Sequence, residues 1–149
     1  MTGTTPLPRL TIAVRGYTHR VDDDLARQIG AEKFVSLTTF KRDGSAVAGP
    51  MWIAQDGQDL VVWTPADSWK VKRVRRDPRV QLTPCGRTGK VAPGARVLEA
   101  TAVVITDPHR VAGVAGRIKD KYGVAFRIIT FVEALLARGR KPRVALQIS

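Results

Sequence analysis

Apolar and polar residues alternate in short runs along the middle of the chain, and this pattern predicts β-strands. Residues 34–40 are rich in β-branched and aromatic types, and the Asp43-Gly44 pair that follows is typical of a tight hairpin turn. Residues 46–55 predict the return strand, and a second turn at Asp56-Gly57 leads into a strand over residues 60–64. We expect these three strands to form an antiparallel meander.

The predicted return strand contains Gly49 and Pro50 near its middle. Proline has no amide hydrogen, so it cannot donate to a neighbouring strand. We therefore expect this strand to lie at the edge of a sheet or to bulge at Pro50.

The second half of the chain predicts three more strands and most of the helices. Six evenly spaced strands with helices inserted late predict a small, mainly β, antiparallel barrel with added helices. The further strands are expected over residues 79–83, 96–106 and 143–148, and the helices over residues 22–30, Trp69–Arg76, 107–123 and 124–137.

The N-terminal residues differ from the rest of the chain. We expect a flexible arm over residues 1–20 and a single domain over residues 21–149. The arm lacks the continuous apolar stretch of a secretory signal, and no run approaches the roughly 18 apolar residues of a membrane span. We therefore expect a cytoplasmic protein with no membrane partner.

The charge balance narrows the range of partners. The chain of 149 residues has 25 Lys plus Arg against 13 Asp plus Glu, a formal net charge of +12. Such an excess fits a nucleic acid, an anionic membrane surface or an anionic small molecule, and the alternative is a basic surface that maintains solubility. Seventeen of the 25 are Arg, which favours bidentate contacts with phosphate or carboxylate.

Few residue types that perform catalysis are present. The chain has one Cys and two His, without metal-ligand spacing, so we expect no metal site. Cys85 is interpreted as a small buried residue rather than a nucleophile. No catalytic residue is identified. If the protein is an enzyme, we expect a cofactor to supply the chemistry.

The densest signal is a basic helix preceded by hydroxyl residues. Six of the eleven residues 69–79 are positive. The free amides at the helix start, with Ser68 and Lys70, would form a phosphate cradle. A solvated charged face is the alternative. A nucleic-acid surface around Trp69 ranks second, because aromatic residues make up only 6% and no nucleic-acid-binding signature is present.

An ordered set of motifs in this chain resembles a known family. The resemblance is to the flavin/deazaflavin oxidoreductases of the split-barrel, pyridoxamine-phosphate-oxidase-like superfamily, and within it to the branch that uses the deazaflavin coenzyme F420. It covers nearly the whole chain. The motifs are residues 34–45, Gly49-Pro50-Met51-Trp52, Thr64, Ser68-x-Lys70, residues 74–80, Pro84-Cys85, Gly89, Pro93-Gly94, residues 99–102, Lys121-Tyr122-Gly123 and residues 138–142.

This resemblance implies a six- to seven-stranded antiparallel split β-barrel with peripheral helices, forming a homodimer with cofactor sites between the subunits. It assigns the cofactor ring to Pro50, Met51 and Trp52 with Thr38 nearby, and the phosphate to Thr64, Ser68, Lys70 and Arg73. Arg87, Lys90 and the C-terminal Arg and Lys residues are candidates for the acidic tail of F420.

The reaction implied by the resemblance is hydride transfer between reduced F420 and a small conjugated organic substrate. The alternatives are an FMN-dependent oxidoreductase of the same fold and a non-catalytic module that binds a cofactor or nucleic acid. Both F420 and FMN carry a phosphate that the same segment would hold.

Overall fold

The computed structural model describes residues 23–136 and 142–149, which form one antiparallel sheet and four helices. The arm predicted over residues 1–20 lies outside the described residues. The strands follow in the order β2-β1-β5-β6-β7-β4-β3 across the sheet. They are β1 (Val35–Phe40), β2 (Ala46–Met51), β3 (Ala54–Asp56), β4 (Asp59–Pro65), β5 (Arg79–Pro84), β6 (Leu98–Ile105) and β7 (Arg143–Ile148), and the helices are α1 (23–31), α2 (Trp69–Arg76), α3 (Pro108–Tyr122) and α4 (Val124–Leu136).

The predicted mainly β antiparallel barrel is confirmed, whereas the predicted meander is wrong. The expected return strand over residues 46–55 forms two strands, because Trp52 and Ile53 leave the sheet and Ile53 is fully buried in the core. As a result β2 pairs with β1 at one end of the strand order, and β3 pairs with β4 at the other end.

The short β2–β3 connection explains why the sheet curls. Seven strands in a flat sheet would place its two ends roughly 29 Å apart, at about 4.8 Å for each strand. The link of Trp52 and Ile53 spans roughly 11 Å at most. The two ends of the sheet must therefore approach each other at this link, which gives a curled half-barrel.

Pro50 occupies the edge position that the sequence predicts. It lies opposite Ser36 of β1 in the last strand of the order, where its missing amide hydrogen breaks no ladder on the outer side. The interruption of the strand comes after Met51, and not at Gly49 and Pro50 as expected.

Two apolar clusters hold the fold together. One fills the inside of the half-barrel with residues from the strands, α1 and α2, among them Ile29, Ile53 and Leu146. The other lies where α3 packs on the outside of the sheet through Val114 and Ile118. Burial of apolar area in these clusters supplies the main favourable term for folding.

Helix α3 begins and ends at the residues that local chemistry predicts. Asp107 caps α3 by accepting from the amide of Arg110 at 3.1 Å, and Gly123 at φ 56° separates α3 from α4. Helix α2 buries Val71 and Val74, which are three residues apart and therefore lie on one face of the helix. No helix in the described part of the chain combines the length and apolar character needed to cross a lipid bilayer.

Candidate functional site

A cleft of about 350 Å³ opens where the β2–β3 link, the end of β4, the start of α2 and helix α4 meet. Five of the eight residues predicted to bind a cofactor line this cleft. They are Pro50, Met51, Trp52, Thr64 and Lys70.

Two hydroxyl groups near the cleft are available for hydrogen bonds to a ligand. Thr64 lies at the end of β4, and Ser68 occupies the N-cap position of α2 without making a side-chain capping bond. Both hydroxyl oxygens are buried and have no hydrogen-bond partner among residues 23–136 and 142–149. Buried polar groups without a partner are costly, so their presence together points to a ligand that accepts hydrogen bonds here.

Two cations lie at the same end of the cleft. Lys70 is in the first turn of α2, and Arg143 begins β7, where it lies opposite Pro65 of β4. Both line the cleft. Burial lowers the pKa of Lys70, and the charges of Arg73 and Arg143 lower it further. Burial also lowers the pKa of Arg143.

The lowered pKa values of Lys70 and Arg143 indicate that these positive charges lie close together and are partly shielded from water. An anion placed among them would relieve both the desolvation and the mutual repulsion. A phosphate is well suited, because it accepts from hydroxyls, from the free first-turn amides of α2 and from both cations.

The cleft also has aromatic and apolar walls. Trp52 stacks on Tyr122, with ring centroids 4.5 Å apart and planes inclined by 11°. Trp63 contacts the Phe126 ring at 5.3 Å, and the Arg143 guanidinium lies 4.1 Å from the Trp63 centroid. Such a surface suits a planar heterocycle, which would stack or lie flat against it.

Tyr122 and Lys121 fix the position of the β2–β3 link. The Tyr122 hydroxyl accepts from the Ile53 amide at 3.0 Å and lies 2.8 Å from the Lys33 carbonyl, to which it donates. The Lys121 ammonium donates to the carbonyls of Gly30, Glu32 and Ile53. This end of α3 therefore holds Trp52 in place at the cleft.

The loop after β5 closes over Pro50. Gly89 has a φ of 91°, and a Cβ atom built there would lie 3.2 Å from Pro50 Cδ. Only glycine fits this approach without strain. Arg87 in the same loop lines the cleft, and so adds a third cation.

Three of the predicted cofactor residues do not line the cleft. Ser68 is the N-cap residue of α2, two residues before the lining residue Lys70, whereas Thr38 lies in β1 between Ala48 and Gln81. Arg73 points away and donates to the Thr39 hydroxyl at 3.2 Å. Its charge still lowers the pKa of Lys70. The cofactor roles of these residues stay predictions.

Cys85 has the properties of an unreactive thiol. Burial raises its pKa, so the thiolate needed for nucleophilic attack is disfavoured at neutral pH.

Comparison with known proteins identifies the family. The model of the pyridoxamine 5'-phosphate oxidase family matches residues 21–149. The chain belongs to this family. The match confirms the expected relation to the split-barrel superfamily. No curated protein is significantly similar to the chain.

The pyridoxamine 5'-phosphate oxidase fold of this chain recurs in solved structures. A conserved hypothetical protein from Mycobacterium tuberculosis has a TM-score of 0.62 at 22% identity, over 85% of this chain and 78% of that one. A protein from Listeria innocua, described as a candidate pyridoxamine 5'-phosphate oxidase, has a TM-score of 0.57 at 20% identity, over 87% and 92%. An F420 reductase has a TM-score of 0.50 at 18% identity, over 81% and 89%. At these identities the likeness shows a common fold.

For this member of the pyridoxamine 5'-phosphate oxidase family, sequence reasoning missed part of the site. In the sequence, Arg143 is the first residue of an alternating strand, and its neighbours do not indicate a role in binding phosphate. Ile129 and Thr130 of α4 reach the cleft only through the packing of α4. Arg87 is one of several residues predicted to bind the acidic tail of F420. Tyr122 belongs to a motif to which the sequence assigns no role.

Proposed function

We propose that the protein is an oxidoreductase whose cleft binds a phosphorylated tricyclic cofactor, with F420 as the preferred cofactor and FMN as the alternative. The single observation that carries this proposal is that Lys70 and Arg143 line the cleft together with Thr64, whose buried hydroxyl, like that of the neighbouring Ser68, has no partner among the described residues. Family membership supports it, because the pyridoxamine 5'-phosphate oxidase family binds flavins.

The residues present fit such a cofactor along its length. Thr64 and Ser68 would donate to the phosphate, and Lys70 and Arg143 would neutralise it. Pro50 and Trp52 would flank the ring, in the part of the cleft that aromatic groups line. When bound, F420 supplies hydride transfer to a small conjugated organic substrate, and FMN would supply flavin chemistry in its place.

The protein would contribute binding, orientation and exclusion of water. Stacking on Tyr122 holds Trp52 at one orientation, and the loop with Gly89 keeps Pro50 fixed. Ile118 and Ile129 add apolar surface to the cleft, which limits water around the reacting ring. The F420 reductase among the structures of similar fold is consistent with this choice of cofactor.

Substitution of Lys70 tests the assignment of the phosphate. In the Lys70→Ala variant the affinity for F420 should fall by about 1.5 to 3 kcal/mol, the value of a charge-assisted hydrogen bond, or roughly 10- to 150-fold in Kd. Titration followed by cofactor fluorescence measures it. The matched control is Lys119→Ala, which removes the same charge from an exposed position in α3.

An unchanged affinity in Lys70→Ala, with Lys119→Ala also unchanged, would remove Lys70 from the phosphate site. Equal losses in the two variants would show a general effect of charge and would contradict the proposed cradle as well.

A further inference from the structure

Helix α2 also contributes to a second concave surface, which shares no lining residue with the cleft. We call it the basic groove. It has a volume of about 590 Å³ and lies between α2 and the β1–β2 turn. The groove is lined by Lys41, Arg42, Trp69, Lys72, Arg73 and Arg76.

The aromatic ring in the basic groove is open to solvent. Trp69 is 69% exposed, although it is the largest side chain of α2. The Lys72 ammonium lies 4.4 Å from the ring centroid, in cation–π contact. The exposed fraction leaves room for a second planar group to stack on the ring.

Two of the three guanidinium groups that line the groove are hydrogen-bonded to strand β1. Arg73 donates to the Thr39 hydroxyl at 3.2 Å, and Arg76 donates to the Phe40 carbonyl. A guanidinium has five N–H donors, so each arginine keeps donors for oxygens of a ligand. Anchoring lowers the entropy lost when these side chains bind an anion.

The acidic residues beside the groove are directed elsewhere. The Asp43 carboxylate accepts from the hydroxyl of Ser45 at 2.6 Å, and Asp77 forms an ion pair with Arg79 at 2.8 Å. The bond from Arg79 holds the pKa of Asp77 at about 2. Among the described residues, all the charged side chains that line the groove are positive.

We propose that the basic groove binds a nucleoside phosphate, with the base stacked on Trp69 and the phosphate on Arg73 and Arg76. Stacking with a base and pairing with phosphate use both features of the groove at once. A ligand that carries only carboxylates would leave the aromatic ring unused. A volume of 590 Å³ is large enough for a nucleotide.

The same chemistry can come from two sources, a free nucleotide or a segment of single-stranded nucleic acid. The two are distinguished by titrating the full-length protein with AMP and, separately, with a fluorescently labelled single-stranded oligothymidylate of twelve residues. Saturable binding of AMP with no tighter binding of the oligonucleotide identifies a nucleotide site. Much tighter binding of the oligonucleotide identifies a single-strand site. Binding of neither at millimolar concentration overturns the proposal.

Variants of Trp69 test the stacking contact. Trp69→Ala should weaken binding of the better ligand by about 5- to 150-fold, the range measured for loss of one base–aromatic stack. Trp69→Phe should retain most of the affinity, because it keeps an aromatic face. The exposure of Trp69 makes both variants compatible with folding. If Trp69→Ala binds as tightly as the native protein, the proposal is wrong.

Variants of the cations separate the groove from the cleft. Arg76→Ala should weaken nucleotide binding by at least tenfold, whereas Lys70→Ala should change it no more than the exposed control Lys119→Ala. A larger loss in Lys70→Ala than in Arg76→Ala would place the nucleotide in the cleft and overturn the proposal for the groove. A negative result for nucleotide binding to the groove would not alter the expected binding of F420 to the cleft, so each proposal can be disproved without the other.

Inorganic polyphosphate serves as a competitor without bases. If it binds as tightly as the oligonucleotide, and equally well to Trp69→Ala, then the groove binds anions by charge alone and the proposal is contradicted. If the oligonucleotide is the better ligand, its log Kd should rise with log salt concentration with a slope of about 2 to 3, as expected for three or four phosphate contacts on a single strand.

Discussion

Lys70 carries its charge in a partly buried position beside other cations, and this sets the pH dependence of cofactor binding. Its pKa is lowered from 10.5 by burial and by the charges of Arg73 and Arg143. Lys70 holds a phosphate only when protonated, so affinity should fall as pH rises through this lowered pKa, before an ordinary lysine would titrate. The Kd for F420 between pH 7 and pH 10 measures this.

The Lys70→Arg variant is the control, because arginine stays charged throughout that range. Its Kd should be flat where that of the native protein rises. The lowered pKa of Lys70 also determines how the stability of the ligand-free protein changes with pH. Because the unfolded chain binds more protons than the folded one near the folded pKa of Lys70, the ligand-free protein should gain stability as pH rises through that pKa. A Kd for native protein that stays constant to pH 10 would contradict the assignment.

The Thr64 hydroxyl is expected to destabilise the ligand-free protein and to strengthen binding of the cofactor phosphate. Its hydroxyl is fully buried and has no hydrogen-bond partner in the described part of the chain. Thr64→Val should therefore raise the free energy of unfolding of the ligand-free protein by about 1 to 3 kcal/mol, the usual cost of an unsatisfied buried group. The same change should weaken F420 binding about tenfold. Chemical denaturation and fluorescence titration measure the two effects.

The control for Thr64→Val is Thr101→Val, which removes an exposed hydroxyl from β6. It should alter the free energy of unfolding by no more than about 0.5 kcal/mol and leave the Kd unchanged. A Thr64→Val variant that is less stable than native protein would show that the hydroxyl has a structural partner, and the argument for a ligand there would fail.

At the level of single residues, the sequence predicts which side chains lie close together when they belong to the same short segment. Ser68 and Lys70 are two residues apart at the start of a helix, so their proximity follows from local geometry. Arg143 joins them only because β7 pairs with β4, a contact between residues about 80 positions apart. Arg73 is the opposite case, in which closeness along the helix does not bring a side chain to the cleft. It is one helical turn from Lys70, yet its hydrogen bond to Thr39 turns it away from the cleft.

At the scale of elements, the loop after β5 positions Arg87 and packs against Pro50. Gly89→Ala should disturb this loop, because φ of 91° is unfavourable for alanine and the new Cβ would lie 3.2 Å from Pro50 Cδ. We expect a loss of about 1 to 2 kcal/mol in the free energy of unfolding and weaker F420 binding. Thermal unfolding and titration measure these changes.

Gly86→Ala is a control within the same loop, since the closest atom to its Cβ would be the Lys90 carbonyl oxygen at 3.8 Å. It should be close to neutral in both measurements. If Gly89→Ala binds F420 as tightly as native protein, the loop does not help to form the cleft.

The elements themselves follow from the sequence in most cases. Helix α2 and strand β7 have the predicted bounds, because a basic amphipathic segment and a clean alternation leave little ambiguity. The division of residues 46–55 into β2 and β3 could not be predicted. It depends on Ile53 entering the core and on Tyr122 binding the link from the far end of α3, which are both contacts of the folded chain.

At the scale of the whole molecule, we propose that the protein is a homodimer that completes the cleft. Strand β2 ends the sheet, and one of its edges has no strand partner among the residues that the structure describes. Helix α4 exposes Val124, Ile128, Phe131 and Val132, each between 45% and 71% exposed, next to the cleft residues Ile129 and Thr130. A second copy would cover such an apolar surface.

Sedimentation velocity tests the dimer. The native protein should sediment with twice the chain mass of 16.3 kDa, and Phe131→Glu should shift it towards the monomer and weaken F420 binding. The control is Arg127→Glu in the same helix, which also introduces an acidic residue but removes no apolar surface. A native monomer that binds F420 with full affinity would exclude a shared site.

The central claim is that the cleft binds a phosphorylated deazaflavin or flavin, and one titration tests it most directly. Purified native protein is titrated with F420 and, separately, with FMN, and cofactor fluorescence is followed. We predict micromolar or tighter binding of F420 and weaker binding of FMN. Tighter binding of FMN would keep the site and change the cofactor. Binding of neither would contradict the central claim.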